Sequence, residues 1–299
     1  MDAPRQDSAG SSAARMPDTP ATREVLRLGG IELRTPSSRR AEVKSRAVRR
    51  WLRRIKHLCV LSLGVSFLAG MAFASLLLIT PPVGSANARA AALDQAHHGA
   101  FIAGSLPLRA AAALVAAGDR SLYSEAGFDP ATVTAMFFRG NSAEGGRGWF
   151  YLQVARDLYG GSQPEPLARI EQTLVAIKLD LRYSPARILG LYANIADFGH
   201  GYIGLAAASC GYFDRPATAL SWGQAAMLAA VARAPATGDP FLHMARARAG
   251  EHAVLSMLLA AGQLTSRQAS RAFRRPVHLS RAQPSRHDDS QCLTRDSGN

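Results

Sequence analysis

The strongest pattern along the chain is an early apolar run. From Leu58 to Thr80 it reads LCVLSLGVSFLAGMAFASLLLIT, 23 residues without a charge. At 1.5 Å per residue such a helix spans roughly 35 Å, against a bilayer core of about 30 Å. Pro81 and Pro82 close it, because proline supplies no amide hydrogen to a helix. The run predicts a transmembrane helix over 58–80, led by a basic, amphipathic segment from Arg46. Residues 1–45 show no sustained periodicity and read as a disordered tail. Residues 81–105 read as a linker, 106–275 as a helical domain and 276–299 as a flexible tail.

Within 106–275 the apolar period is helical throughout, without strand-like alternation. Leu108–Ala117 is an Ala/Leu run, and Pro130–Arg139 opens on proline, a common first helical residue. In Leu167–Tyr183, Ile170, Leu174, Ile177 and Leu181 fall on one face. Pro185–Ala196 follows Ser184 as N-cap. Ser221 and Gln224 form a capping-box pattern ahead of the helix to Ala234. Ala245–Ala261 closes on Gly262, and Leu264–Phe273 starts near Thr265 or Ser266.

Charge changes the picture at the N-terminus. The chain carries a net +13. Met1–His57 holds 14 Lys/Arg against 6 Asp/Glu, a net +8. A basic block directly before an apolar span sets membrane orientation, and it is read that way rather than as a nucleic-acid surface. The expected topology is single-pass in a bacterial inner membrane, with the N-terminus cytoplasmic and the C-terminal domain periplasmic. A cleaved signal peptide has a small-x-small site at Ala86-Asn87-Ala88. However, the apolar run is too long and the leader too extended for that reading. Cys59 lies in the span. Cys210 and Cys292 fall outside, where disulfides form, and the sequence leaves their pairing open. No metal-ligand spacing stands out, and His97-His98 reads as a solvated pair.

Specific motifs follow in order. Arg182–Gly204, RYSPARILGLYANIADFGHGYIG, resembles R-Y-S-K-x-x-I-L-E-x-Y-L-N-x-x-x-F-G-x-G-x-x-G. Ala206-Ala207-Ala208, Gly211-Tyr212-Phe213 and Leu220–Pro235 resemble A-A-x-x-Y-F-G-K followed by L-x-x-x-E-A-A-x-L-A and a closing A-P. Together these make residues from about Leu106 to Phe273 similar to glycosyltransferase family 51. That family is the peptidoglycan glycosyltransferase domain of monofunctional transglycosylases and class A penicillin-binding proteins.

The resemblance implies an all-α, lysozyme-like, two-lobed domain with a cleft. It implies lipid II or a glycan strand as ligand and cell-wall synthesis proteins as partners. A glutamate would act as general base on the acceptor hydroxyl while undecaprenyl pyrophosphate leaves. Basic residues, and a divalent metal (Mg or Mn) if the domain is active, would stabilise the leaving group. No cofactor is otherwise implied.

The residues that carry this chemistry are eroded. Where the family has E-D-x-x-F, the chain has Gly118-Asp119-Arg120-Ser121-Leu122, so Gly118 stands in the catalytic glutamate's place. Glu125 stands where the family has histidine, before Gly127 and Asp129. The donor motif G-G-S-T-I-T-Q-Q-L-x-K-N becomes Gly146-Arg147-Gly148-Trp149-Phe150-Tyr151-Leu152-Gln153-Val154-Ala155-Arg156-Asp157, keeping Gln153 and the charge of Arg156. The second glutamate aligns with Gln172 and a family lysine with Arg169, while Glu171 lies one register off. Pro185 and Gly190 replace the Lys of Y-S-K and the Glu of I-L-E.

The possible substitute acids are Asp119, Glu125 and Glu171. Gln153, Arg156, Arg169 and Asn194 are the expected substrate-binding residues. Arg147, Arg156, Arg169 and Lys178 are either a residual anion site or solvated helix faces. Trp149, Phe150 and Tyr151 either fill the cleft or form a lipid- or partner-facing surface, with the filled cleft favoured. The resemblance therefore predicts a catalytically impaired member of the family. A divergent active enzyme and a purely structural envelope component are the alternatives.

Overall fold

A computed structural model of the chain describes residues 36–97, 99–124, 148–160, 167–280 and 292. The described residues are helical and form no strand beyond one isolated bridge, Asp197 with Ile203. Helix α1 runs Pro36–Ile79. It starts on a proline ten residues before the expected 46, so the tail read as disordered to 45 ends in helix. Within Trp51–Ile79 an 18-residue window has mean hydropathy 2.1, and the segment exposes large apolar side chains on every face, among them Leu61, Leu63, Phe67 and Leu68. A helix apolar all round, with none of its apolar window buried among the described residues, is suited to lipid, and this one is long and apolar enough to cross a membrane.

The segment read as a linker is folded. A 3₁₀ turn at Val83–Ser85 leads into α2, Ala86–Ala96. Ala86 and Ala90, one turn apart, are fully buried. Their small side chains let α2 lie close to a later helix, and a chain of alanines gives too little polar contrast to announce itself. The domain continues with α3 (Leu108–Ala117), α4 (Trp149–Tyr159), α5 (Leu167–Arg182), α6 (Pro185–Ile195), α7 (Leu205–Phe213), α8 (Trp222–Arg233), the one-turn α9 (Pro235–Gly238), α10 (Met244–Ala260) and α11 (Ser266–Arg274). The helix expected at Pro130–Arg139 lies outside the described residues.

The helices pack in two groups. In one, α3 and α10 flank α8, and α9 and α11 close over them. In the other, α4 packs on α5 and α6, with α2 against α6. Helix α7 touches both α6 and α8. Helix α8 is apolar on nearly every side and central to its group, which follows from its sequence WGQAAMLAAVAR. Its capping box forms as expected: Ser221 Oγ accepts from Gln224 N at 3.3 Å and Gln224 Oε1 accepts from Ser221 N at 2.9 Å. A Cβ on Gly250 of α10 would lie 2.7 Å from Ala230 Cβ, so glycine there permits the close α8–α10 approach.

Two further expectations are corrected. The buried face of α5 is Ala168, Thr173, Leu174, Val175, Ala176 and Leu179, whereas Leu181 is 78% exposed. The helix admits Thr173 to the core because its hydroxyl donates to Arg169 O at 2.8 Å, which frees the face to rotate away from Leu181. The C-terminal segment does not simply fray after 275. Val277 is buried, Ser280 N donates to Tyr212 O at 2.8 Å, and Cys292 is disulfide-bonded to Cys210 of α7.

Candidate active site

The position that the resemblance assigns to the catalytic base sits where α3 ends and the two helix groups meet. Gly118 N makes the last turn's bond to Leu114 O at 2.8 Å. A Cβ built on Gly118 would lie 2.6 Å from Phe150 Cζ and 2.9 Å from Trp149 Cε3. The space a side chain would need is therefore already occupied. Trp149 and Phe150 open α4, are both buried, and stack edge-on with each other and with Tyr192 of α6 at centroid distances of 5.0 to 5.3 Å. Such aromatic pairs add about 0.5–1.5 kcal/mol beyond their area.

Arg233, the last residue of α8, completes the plug. Its guanidinium lies 5.3 Å from the Trp149 ring centroid and donates to Ala117 O. It satisfies an orphan carbonyl at the end of α3 and stacks on the indole from the opposite side of the seam. Sequence reasoning did not single out Arg233. The available signal was a lone cation ending an otherwise apolar helix.

Asp119 is 2% exposed and fully engaged. Its Oδ1 accepts from Ser121 N at 2.9 Å and from Ser121 Oγ at 2.7 Å, and its Oδ2 accepts from Gly148 N at 2.8 Å. Gly148 has φ +81°, a left-handed conformation that suits glycine, and it caps α4. Asp119 thus ties the end of α3 to the start of α4. Both oxygens of the carboxylate are held by protein donors, a scaffolding arrangement. Glu125 and Arg147 lie outside the described residues.

On α4, Tyr151 is buried beside Asp180, and burial first, then that carboxylate, pushes its phenol well above the usual range. Gln153 Oε1 is buried with no hydrogen-bond partner. Arg156 is exposed and pairs with Asp157 at 3.0 Å. Burial raises the Asp157 carboxyl, and Arg156 only partly offsets this. On α5, Arg169, Glu171 and Gln172 are half-buried, and successive helical residues such as Glu171 and Gln172 point about 100° apart.

Lys178, one of the four candidate anion-site cations, is engaged at the end of α1. Its Nζ donates to Thr80 O at 2.8 Å and Pro81 O at 3.1 Å, and burial lowers its ammonium. It caps the carbonyls where α1 ends. Nearby, Tyr183 Oη donates to Val83 O at 2.9 Å and Arg187 Nε to Asn87 Oδ1 at 2.9 Å. Asn194, expected to meet substrate, faces inward. Its Oδ1 accepts from Ile102 N at 2.8 Å, and its Nδ2 donates to Ile102 O and Gly190 O. Among the described residues, nothing lies within 4 Å of a Cβ built on Gly190.

A pair missed in the sequence is His200 with buried Asp239, Nδ1 to Oδ2 at 3.1 Å. Thirty-nine residues separate them, so no local spacing announces the contact. Among the described residues no group of three or more His, Cys, Asp or Glu lies together.

The helical domain has counterparts among known proteins. The transglycosylase family model matches residues 88–259, more than half of the chain, and the chain belongs to that family. The match begins inside α2, which places residues 88–105 of the former linker within the family domain. Relatives include penicillin-binding protein 1F of Bacillus subtilis, 29% identical over 178 residues covering 58% of this chain and 25% of the relative. Penicillin-binding protein 1A of Aquifex aeolicus is 31% identical over 168 residues, covering 55% and 23%. A crystal structure of penicillin-binding protein 1A from Haemophilus influenzae is similar over 33% of this chain and 15% of its own, with 28% identity and a TM-score of 0.32. The chain thus spans about a quarter of the length of the curated relatives it matches.

Proposed function

We propose that this chain is a membrane-anchored transglycosylase-family protein of cell-wall assembly that has lost polymerising activity. It would bind lipid II, nascent glycan or a cell-wall enzyme, and so regulate or scaffold envelope synthesis. One observation carries the reading: the base position is both empty and overfilled, because the Phe150 and Trp149 rings occupy the volume that a side chain at 118 would need. General acid–base catalysis is worth about 10²–10⁴-fold, and electrostatic stabilisation often more. With Asp119 committed to scaffolding and Lys178 to the end of α1, both contributions are reduced together.

The anchor reading, with the N-terminus inside, rests on the basic run ahead of the apolar helix. The alternative cleavage site supports an uncleaved anchor by its position. Ala86 is fully buried and Asn87 is held by Arg187, so cleavage there would cut into a packed helix. The test is a lipid II binding measurement on the detergent-solubilised full chain. Saturable binding without glycan formation is the expected result. Absence of binding at concentrations that saturate an active family member would remove lipid II from the account.

A further inference from the structure

The last helix of the domain carries a charge that nothing described balances. Arg267, Arg271 and Arg274 of α11 stand at i, i+4 and i+7, one stripe of a helix, and Arg275 follows. All four are exposed, and with Pro276 they line a concavity of about 370 Å³. Among the described residues none of their guanidiniums has an ion pair or hydrogen bond. From His252 through His287 the sequence contains no Asp or Glu. Like charges one turn apart oppose one another, so the cluster is a cost to the isolated helix.

The helix is nevertheless held firmly. Thr265 and Gln268 form a capping box at its start. Ala269 is buried, and Phe273 packs edge-on against His252 at 5.3 Å. Its apolar face is therefore fixed to the domain, and the arginine stripe lies on the outward face.

We propose that this concavity binds a phosphate-bearing ligand, either a free pyrophosphate-type anion or a phosphorylated headgroup. Each guanidinium offers five donors in a planar fork. A carboxylate supplies two oxygens, whereas a phosphate supplies three terminal oxygens and more charge, so it meets converging arginines better. The concavity is open to solvent and lined by four arginines and one proline, so it offers positive charge to a ligand. The site is separate from the aromatic plug. Val277, two residues past Arg275, lies against Gly223 at the first turn of α8, whereas Arg233 of the plug closes the last turn. Ten residues at 1.5 Å each set those ends about 15 Å apart.

The test is calorimetric titration of inorganic pyrophosphate into the full chain in a neutral detergent, against the double variant Arg271→Gln/Arg275→Gln. Both positions are exposed, and circular dichroism would verify that the variant folds. The expected result is saturable binding that weakens roughly tenfold or more in the variant, and by less in Arg271→Lys/Arg275→Lys, which keeps the charge but loses the fork. Short-chain dihexanoyl phosphatidic acid provides the second arm, with the phosphatidylcholine analogue as control. Displacement of pyrophosphate by the phosphatidic acid assigns the site to a headgroup, and failure to displace assigns it to a free anion. Equal pyrophosphate binding by the parent and the Gln variant, or no binding at millimolar pyrophosphate, would overturn the proposal. None of these arginines lines the plug, so the outcome does not depend on whether the cleft is active.

Discussion

Gly118 and Gly190 both stand where the family resemblance places a glutamate, yet their surroundings differ. A Cβ at 118 meets two aromatic rings under 3.0 Å, and one at 190 meets nothing within 4 Å among the described residues. Gly118→Ala should therefore destabilise the domain by about 1–3 kcal/mol through overpacking. Gly190→Ala, in a helix interior, should stabilise it by up to about 1 kcal/mol. Thermal unfolding of the two variants would show opposite shifts in midpoint. Asp119→Ala would strand Gly148 N and Ser121 N, costing about 1–3 kcal/mol, and the same unfolding measurement reads it. The sequence showed that Gly118, Gln172 and Gly190 lack carboxylates. It could not show that Trp149 and Phe150 fill the first of these positions, because that contact joins residues some thirty positions apart in different helices. For the same reason Asn194 looked like a substrate contact until its partner, the backbone of Ile102, was known.

Elements with strong local signals were the most legible. Ser221 with Gln224 and Thr265 mark their helix starts, and the apolar run of α1 is evident by eye. Helix α2 was missed because its alanines lack contrast, and the α5 face was misjudged because Thr173 buries like an apolar residue. The C-terminal segment depends on long-range chemistry. The Cys210–Cys292 disulfide closes 82 residues, and removing it with Cys292→Ser should cost about 2–5 kcal/mol. Limited proteolysis should then cut after 275 faster than in the parent.

Glu251 of α10 adds a pH dependence at the same scale. It is buried beside Gly223 and Val277, with Arg248 at 3.9 Å and neither oxygen hydrogen-bonded. Burial raises its carboxyl from 4.5 to about 7, with Arg248 opposing. The folded state therefore holds a proton that the unfolded chain releases. Stability should fall as pH rises from about 4.5 to about 7 and level off above that. Glu251→Gln should remove this slope, and the difference between parent and variant unfolding midpoints across that range measures it. A slope shared equally by both proteins would assign the effect to other groups.

For the whole molecule, one apolar helix leads into a transglycosylase-family domain whose two helix groups are closed together at their seam. That seam holds Trp149, Phe150, Tyr192 and Arg233. The family's identity was legible because the motif around Arg182–Gly204 is dense with backbone-determining residues, including Gly199, Gly201 and Gly204 at positive φ. The most direct test of the loss of activity is lipid II polymerisation by the purified full chain. Gly118→Glu/Gln172→Glu is the companion, with and without Trp149→Ser to open the seam. The account predicts no glycan chains from the parent, and none from the double variant while Trp149 and Phe150 still crowd position 118. Glycan chains made by the unmodified protein would contradict it.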